Sequence, residues 1–133
     1  MVSNGFINQE PLEKLLPFMD AFNIDLKAFT EDFYQKITGA KLAPVLETIK
    51  TIKKANKHLE ITNLIIPGLN DNPKIFEDMV VWIKNNTGKD TVLHLSRYFP
   101  RNQLDNEMTP MKTLVDLKII AEKHLDYVYL GNV

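Results

Sequence analysis

The amino-acid sequence predicts an α/β protein with a parallel sheet of about five strands and helices packed outside it. Short apolar runs typical of strands alternate with amphipathic helical segments, and that alternation is typical of a parallel sheet. Four helical segments carry a proline where the helix is expected to begin, at Pro11, Pro44, Pro73 and Pro110. These prolines are 33, 29 and 37 residues apart, about the length of one strand–helix–strand unit, roughly 30 residues or more.

The strands are predicted first, from short runs of apolar and β-branched residues at the start of the chain and after each main helix. They fall at residues 2–7, 21–27, 59–66, 91–98 and 127–130.

The helices are predicted from apolar residues at i, i+3 and i+4 spacing, which give each helix one face to bury. Asn72 and Thr109 directly precede two of the prolines and are expected to cap those helices. A brief extra helix is predicted at 31–37, with Thr30 as its cap. The four main stripes begin at Leu12, Val45, Phe76 and Leu114.

The composition fits a globular protein and excludes several functions. The 133 residues form a single expected domain, 1–133, with 44% hydrophobic and 25% charged residues and a net charge of −1. This charge balance gives no electrostatic reason to expect nucleic acid or an anionic membrane as a partner. The first residues lack the regions of a signal peptide, so we expect a cytoplasmic protein. No cysteine is present, which excludes disulfides, zinc fingers and a cysteine-ligated iron–sulfur cluster on this chain alone.

The length is about half that of a complete (β/α)₈ barrel, which takes about 250 residues. A sheet of this size leaves two open edges, which proteins normally cover. Three interpretations remain: a piece of a larger barrel, an oligomer that pairs its edges, or a small open sheet.

The strand at 21–27 carries an unusual set of polar residues. Side chains alternate across a strand, so Asn23, Asp25 and Lys27 lie on the face opposite Phe22 and its apolar neighbours. Burying an unpaired polar group costs about 2–7 kcal/mol. The polar face is therefore predicted to line a pocket.

Polar residues also occur at the ends of the other strands. In parallel α/β folds, ligands bind where the carboxyl ends of the strands meet. Five polar strand ends at one edge indicate a shared pocket. They include Ser3 and Asn4, then Thr62 and Asn63 with the turn at 67–71, then His94, Ser96 and Tyr98, and finally Gly131 and Asn132.

Structural roles are the alternatives for several of these residues. Asp25 and Lys27 can form an internal ion pair that fixes strand packing, and residues 67–71 can be ordinary turn residues. His58 and His124 follow helices and are interpreted as cations at the helix ends. His94 is interpreted as a hydrogen-bonded core histidine rather than a ligand.

Together these strand ends resemble radical SAM enzymes, especially proteins related to the pyruvate formate-lyase activating enzyme and the radical SAM component of the AmmeMemoRadiSam system. The resemblance spans essentially the whole chain. It rests on Ser-Asn-Gly-Phe at 3–6, Asn-Ile-Asp-Leu-Lys at 23–27, Ile-Ile-Pro-Gly-Leu-Asn-Asp at 65–71, Leu-His-Leu-Ser-Arg-Tyr-Phe at 93–99 and Tyr-Val-Tyr-Leu-Gly-Asn-Val at 127–133.

The resemblance implies a partial (β/α)₆ barrel that is similar to a TIM barrel. In that family, three cysteines spaced C-x-x-x-C-x-x-C hold a [4Fe–4S] cluster, and a Gly-Gly-Glu segment holds the amino group of S-adenosylmethionine. The reduced cluster cleaves the cofactor to a 5′-deoxyadenosyl radical. In the activating enzymes, this radical abstracts hydrogen from a glycine of the partner enzyme.

The same resemblance implies cofactor-binding positions in this chain, and no catalytic or metal-ligating residue. Asp25 and Lys27 match positions at the methionine carboxylate and ribose. The other implied positions are Ser3 and Asn4 beside them, and Leu64, Ser96 and Tyr98 near the adenine.

The cysteine motif and the Gly-Gly-Glu segment are missing from this sequence. Val2 stands where activating enzymes often carry aspartate, and Phe99 where many carry histidine. We therefore expect the C-terminal portion of a radical SAM enzyme that is inactive alone and binds S-adenosylmethionine weakly, with a protein substrate in the parent. Two alternatives remain. One is an aldolase-like barrel with Lys27 as a Schiff-base lysine, although the nearby Asp25 disfavours this role because it stabilises the charged ammonium form of Lys27. The other is a non-catalytic interaction domain.

Overall fold

Five parallel strands form one sheet in the described part of the chain. The computed structural model describes residues 2–3, 5, 9–38, 41–100 and 107–133, with the backbone alone at 2–3, 9–10 and 37–38. The spatial order of the strands follows the sequence, and all four pairings are parallel, as predicted. The strands are β1 (Val2–Ser3), β2 (Ala21–Asp25), β3 (His58–Ile65), β4 (Val92–Arg97) and β5 (Val128–Gly131).

Helices separate the strands in the predicted alternation. They are α1 (Gln9–Leu15), which continues into a 3₁₀ turn (Leu16–Phe18), α2 (Glu31–Phe33), which continues into a π-helical turn (Tyr34–Thr38), α3 (Leu42–Lys54), α4 (Pro73–Thr87) and α5 (Met111–Glu122). None of the described helices is long and apolar enough to cross a membrane.

Of the four predicted helix starts, Pro73 is correct, and α1, α3 and α5 begin at Gln9, Leu42 and Met111, one or two residues away from the predicted prolines. The side chain of Asn72 accepts hydrogen bonds from the N–H groups of Lys74 and Ile75, and Pro73 begins α4. Thr30 caps α2 through the N–H of Phe33 at 3.2 Å. The expected cap at Thr109 is wrong, because α5 begins two residues later, at Met111.

The two faces of the sheet differ in composition and burial. One face carries apolar side chains packed against the helices, and each is at most 3% exposed: Phe22, Ile24, Leu59, Ile61, Leu93 and Leu95. Parallel crossovers are right-handed, so a sheet whose strand order follows the sequence has its helices on one face. The opposite face, called the inner face below, carries the half-buried residues of β2, β3 and β4. This is the architecture of a barrel segment with outer helices.

The observed strands differ from the predicted ones at their ends. β2 ends at Asp25 and β4 at Arg97, so Lys27 and Tyr98 lie just beyond their strands. The first predicted strand, 2–7, is present at Val2–Ser3, and residues 4 and 6–7 lie outside the described part. Strand ends are decided by backbone pairing with neighbours, which sequence periodicity does not report.

Candidate functional site

The alternation predicted along β2 is present. Asn23, Asp25 and Lys27 are half-buried on the inner face, and Lys27 continues the alternation past the end of the strand. Their neighbours on the helix side are at most 2% exposed: Phe22, Ile24 and Leu26. The inner face therefore presents one amide, one carboxylate and one amine close together.

Asp25 and Lys27 form an exposed, stretched ion pair. The Lys27 Nζ lies 3.8 Å from Asp25 Oδ2, and the two side chains are 38% and 40% exposed. A pair of this kind contributes about 0–1 kcal/mol to stability, so fixing the strand packing is at most a minor role for it. The exposure also leaves Lys27 without the apolar enclosure that activates a Schiff-base lysine. Both charges are accessible to a ligand.

The backbone of Lys27 is held at both its N–H and its carbonyl. Its N–H donates to the Tyr34 hydroxyl at 2.9 Å, and its carbonyl accepts from Asn63 Nδ2 at 3.0 Å and Asn70 Nδ2 at 2.7 Å. Three side chains, from the π-helical turn, from β3 and from the turn at 67–71, thus fix the position of this residue. Such support restricts where the Lys27 side chain can reach.

Tyr34 is the most deeply buried of these supports. It is fully buried at the start of the π-helical turn, a rare local structure that often occurs near functional sites. Burial raises the pKa of the Tyr34 hydroxyl to about 12. The hydroxyl therefore stays neutral at physiological pH.

The turn at 67–71 is built by its own polar side chains. Asn70 Oδ1 accepts from the N–H of Ile66 at 2.7 Å, and Asp71 Oδ1 accepts from the N–H of Gly68 at 3.0 Å. Gly68 adopts a positive φ of 81°. The interpretation of this segment as turn chemistry is therefore correct, and Asn70 additionally ties the turn to Lys27.

An open cleft lies at the carboxyl ends of β3, β4 and β5. Its volume is about 250 Å³, and its lining is Leu64, Arg97, Tyr98, Phe99 and Asn132. Leu64 and Tyr98 are two of the predicted site residues. Ser96, a third, is in register with Leu64 on one side and with Gly131 on the other, on the same face of the sheet.

Arg97 is held in this cleft by three contacts. Its Nε donates to the Thr109 carbonyl at 2.7 Å, and its guanidinium lies 5.5 Å from the centre of the Phe99 ring. The Asn132 side chain donates to the Arg97 carbonyl at 3.1 Å. Sequence reasoning missed Arg97 and Phe99 as lining residues, although they are two positions apart at a strand end, a spacing that puts side chains on one face of a strand.

A second polar cluster occupies the inner face, nearer the start of the strands. The Glu60 carboxylate contacts His94 Nε2 at 2.5 Å and His58 Nε2 at 3.0 Å. The hydrogen bonds from His94 and His58 lower the pKa of Glu60. His94 is hydrogen-bonded as expected, but its interpretation as a core residue is wrong, because its side chain lies on the inner face and is 32% exposed. The interpretation of His58 as a helix cap is wrong, because His58 begins β3.

Two predicted site residues contribute no described side chain. Ser3 pairs through its backbone position with Ile24 of β2, and Asn4 lies outside the described residues. Within the described ranges, no group of three or more His, Asp or Glu residues has an arrangement that could hold a metal ion.

The sequence of the chain matches known proteins. Residues 1–83 match the family model described as the Radical SAM superfamily. A relative from Methanocaldococcus jannaschii, the uncharacterized protein MJ0808, is 45% identical over 135 residues. The match covers 100% of this chain and 40% of that protein, so the chain spans less than half the length of the relative.

Solved structures share the fold at low sequence identity. A domain of pyruvate-formate lyase-activating enzyme from Bacteroides vulgatus superposes with a TM-score of 0.87 at 14% identity, covering 98% of this chain and 79% of that one. A radical SAM methyltransferase from Sphaerobacter thermophilus superposes with a TM-score of 0.81 at 11% identity, and the match covers 97% of this chain and 38% of that one. TYW1 with a lysine-pyruvate adduct bound superposes with a TM-score of 0.67 at 22% identity, and the match covers 93% of this chain and 40% of that one.

Proposed function

The chain belongs to the radical SAM superfamily, and we propose that it contributes one wall of the S-adenosylmethionine site in an enzyme related to pyruvate formate-lyase activating enzymes. Within that group, the motifs favour the radical SAM component of the AmmeMemoRadiSam system. The observation that supports the cofactor-binding role is spatial. The Asp25–Lys27 pair and the cleft lined by Leu64 and Tyr98 lie at the same carboxyl edge of the sheet.

The chemistry of these residues fits the cofactor. The Lys27 ammonium suits a carboxylate, and the Asp25 carboxylate suits ribose hydroxyl groups. Leu64 and Phe99 offer apolar surface for a purine ring, and Asn132 offers an amide at its rim. When bound in a complete enzyme, S-adenosylmethionine supplies the radical for hydrogen abstraction.

The iron–sulfur cluster does not fit this chain, because none of the 133 residues is cysteine and such clusters are held by cysteine thiolates. No step of the reaction is therefore assigned to these residues. We propose that another segment or chain supplies the cluster, that the complete enzyme is a cytoplasmic oxidoreductase, and that its substrate is a protein such as a glycyl radical enzyme. On this proposal, residues 1–133 form one domain that is inactive alone.

Binding of S-adenosylmethionine, measured by isothermal titration calorimetry, tests the proposal. We expect weak binding to the chain, weakened about tenfold further by Lys27→Ala or Asp25→Asn, because each removes a charge-assisted hydrogen bond. Lys50→Ala is the control, since Lys50 is exposed on α3 and pairs with Glu47. Absence of binding at millimolar cofactor, or equal affinity of the Lys27 and Lys50 variants, would contradict the proposal.

Anaerobic reconstitution with iron and sulfide tests the second part. We expect no stable cluster on the isolated chain. A stable cluster would show that ligands other than cysteine hold it, and would contradict the proposal that another segment or chain supplies the cluster.

A further inference from the structure

The Glu60 carboxylate lies between two imidazoles on the inner face. One oxygen contacts His94 on the neighbouring strand at 2.5 Å, and the other contacts His58 on its own strand at 3.0 Å. Both contacts use the Nε2 atom of the histidine. The Glu60 and His94 side chains are 33% and 32% exposed, so the pair is partly shielded from water.

The contacts define which nitrogen of His94 carries the proton. The hydrogen bonds lower the pKa of Glu60, so its side chain is an ionised carboxylate at neutral pH. An ionised carboxylate only accepts hydrogen bonds. The Nε2 atom of His94 must therefore donate, and in the neutral ring the Nδ1 atom is left as a lone-pair acceptor.

The His94 side chain is 32% exposed, and its Nδ1 atom faces no hydrogen-bond partner in the described part of the chain. Among the described residues, the hydrogen bond of the His94 ring uses Nε2, and none uses Nδ1. The Nδ1 atom is also not one of the buried side-chain atoms without a partner, of which the described residues have Asn63 Oδ1. The His94 ring lies 5.9 Å from the ring of Tyr129 on β5. On the other side, His94 is in register with Thr62 of β3, and Thr62 with Asp25 of β2.

We propose that His94 and Glu60 form a proton-accepting dyad on the inner face, which takes a proton from a hydroxyl or ammonium group of a molecule bound there. The O–H or N–H bond of that group breaks, its electron pair stays on the oxygen or nitrogen, and a new bond forms between the proton and Nδ1 of His94. The Glu60 carboxylate stabilises the resulting imidazolium, which is the arrangement of a base oriented by an acid. This role goes beyond the proposed cofactor wall, in which no residue moves a proton.

The tautomer of His94 is measured by ¹⁵N–¹H NMR on the labelled chain without any cofactor. We expect the Nε2–H form with Nδ1 unprotonated. In Glu60→Gln the amide can either accept from or donate to Nε2, so the ratio of the Nε2–H tautomer to the Nδ1–H tautomer of His94 falls about tenfold or more. His58→Gln is the control, because it removes the other contact of Glu60 and leaves the His94 contact. A predominantly Nδ1–H ring in the wild type overturns the dyad.

The accessibility of Nδ1 is measured with diethyl pyrocarbonate, an electrophile that acylates unprotonated imidazole, followed by peptide mass spectrometry. We expect modification of His94 in the folded chain, at a rate about tenfold lower in Glu60→Gln, because the carboxylate no longer stabilises positive charge on the ring. An unreactive His94 beside a reactive His58, which is 58% exposed, overturns the proposal. Neither experiment contains S-adenosylmethionine, so failure here is distinct from failure of the cofactor-binding proposal.

Discussion

Asn63 of β3 donates its side-chain amide to the backbone carbonyl of Lys27, at 3.0 Å, across the gap between two neighbouring segments. The same amide nitrogen donates to the carbonyl of Leu26 at 2.8 Å. The side chain of Asn63 is 1% exposed. Asn63, on the helix-facing side of β3, therefore positions Lys27, which lies just beyond the end of β2.

Replacing Asn63 with aspartate is expected to lower the free energy of unfolding by about 3 kcal/mol, because a buried carboxylate cannot donate to the two carbonyls. Asn86→Asp is the matched control. The Asn86 amide makes one exposed bond within α4, and we expect a change within about 0.5 kcal/mol. Urea denaturation at pH 7 measures both. Equal losses in the two variants would show that the Asn63 bridge is not stabilising.

Tyr34→Phe is expected to destabilise the chain by about 1–2 kcal/mol at pH 7, since it removes the acceptor of the Lys27 N–H. The pKa of Tyr34 is raised from 10.0 to about 12, so between these pH values the unfolded chain loses the proton first and wild-type stability falls. Phenylalanine does not ionise.

The stability difference between the wild type and Tyr34→Phe should therefore change by about 2–3 kcal/mol as the pH rises from 10 to 12, so that the advantage of the wild type at pH 7 is lost or reversed. Thermal or urea unfolding across this range measures it. Tyr127→Phe is the control, because Tyr127 is 48% exposed, and its stability difference from wild type should stay constant. A constant difference for Tyr34→Phe as well would mean that its hydroxyl is not buried.

Gly5→Ala is expected to destabilise the chain by about 3 kcal/mol. Gly5 has a φ of +82°, and an added Cβ would lie 2.8 Å from Cγ1 of Val45. The left-handed conformation costs a non-glycine residue about 1–2 kcal/mol, and overpacking adds about 1–3 kcal/mol. Gly131→Ala is the control, since its added Cβ would make an ordinary 3.4 Å contact with Ser96 Oγ. If both variants unfold at the same urea concentration, the close approach to Val45 is not restrictive.

The fold was predictable because its signals are local. Proline near the start of a helix and an apolar stripe along it are properties of a few adjacent residues. The strand–helix alternation then leaves few topologies, because parallel crossovers have one handedness. Thr109 shows the limit of such signals: it has the residue type of a cap, but its hydroxyl donates to the carbonyl of Ile65, 44 residues away.

The inner-face site was predictable only where it depends on alternation along one strand. That rule was sufficient for Asn23, Asp25 and Lys27. The hydrogen bonds that hold the Lys27 backbone come from the side chains of Tyr34 and Asn63. These contacts depend on helix packing and strand register, which the sequence does not show. Glu60 was missed because its partner His94 lies 34 residues away. Its other partner, His58, is two residues away on the same strand, but was interpreted as a helix cap.

Glu60→Gln is expected to change the acid stability of the chain. The folded pKa of Glu60 is lowered from 4.5 by the hydrogen bonds from His94 and His58. A depressed carboxyl pKa contributes stability that is present above the unfolded pKa and is lost as the pH falls through the folded one. Relative to Glu60→Gln, the wild type should therefore lose stability progressively below about pH 4.5. Glu47→Gln is the exposed control. Parallel acid unfolding curves for the wild type and Glu60→Gln would contradict the ionised cluster.

Phe99→Ala tests the proposal that the cleft at β3–β5 accommodates the adenine of S-adenosylmethionine. Phe99 is 36% exposed, so the truncation should cost little stability. Stacking of a base on an aromatic ring is worth about 1–3 kcal/mol, so the affinity for S-adenosylmethionine should fall about tenfold. Tyr127→Ala, an exposed aromatic residue that does not line the cleft, should bind as the wild type does. Unchanged affinity in Phe99→Ala together with a loss in Lys27→Ala would place the adenine elsewhere and keep the charged pair as part of the site, because the two contacts lie at different strand ends.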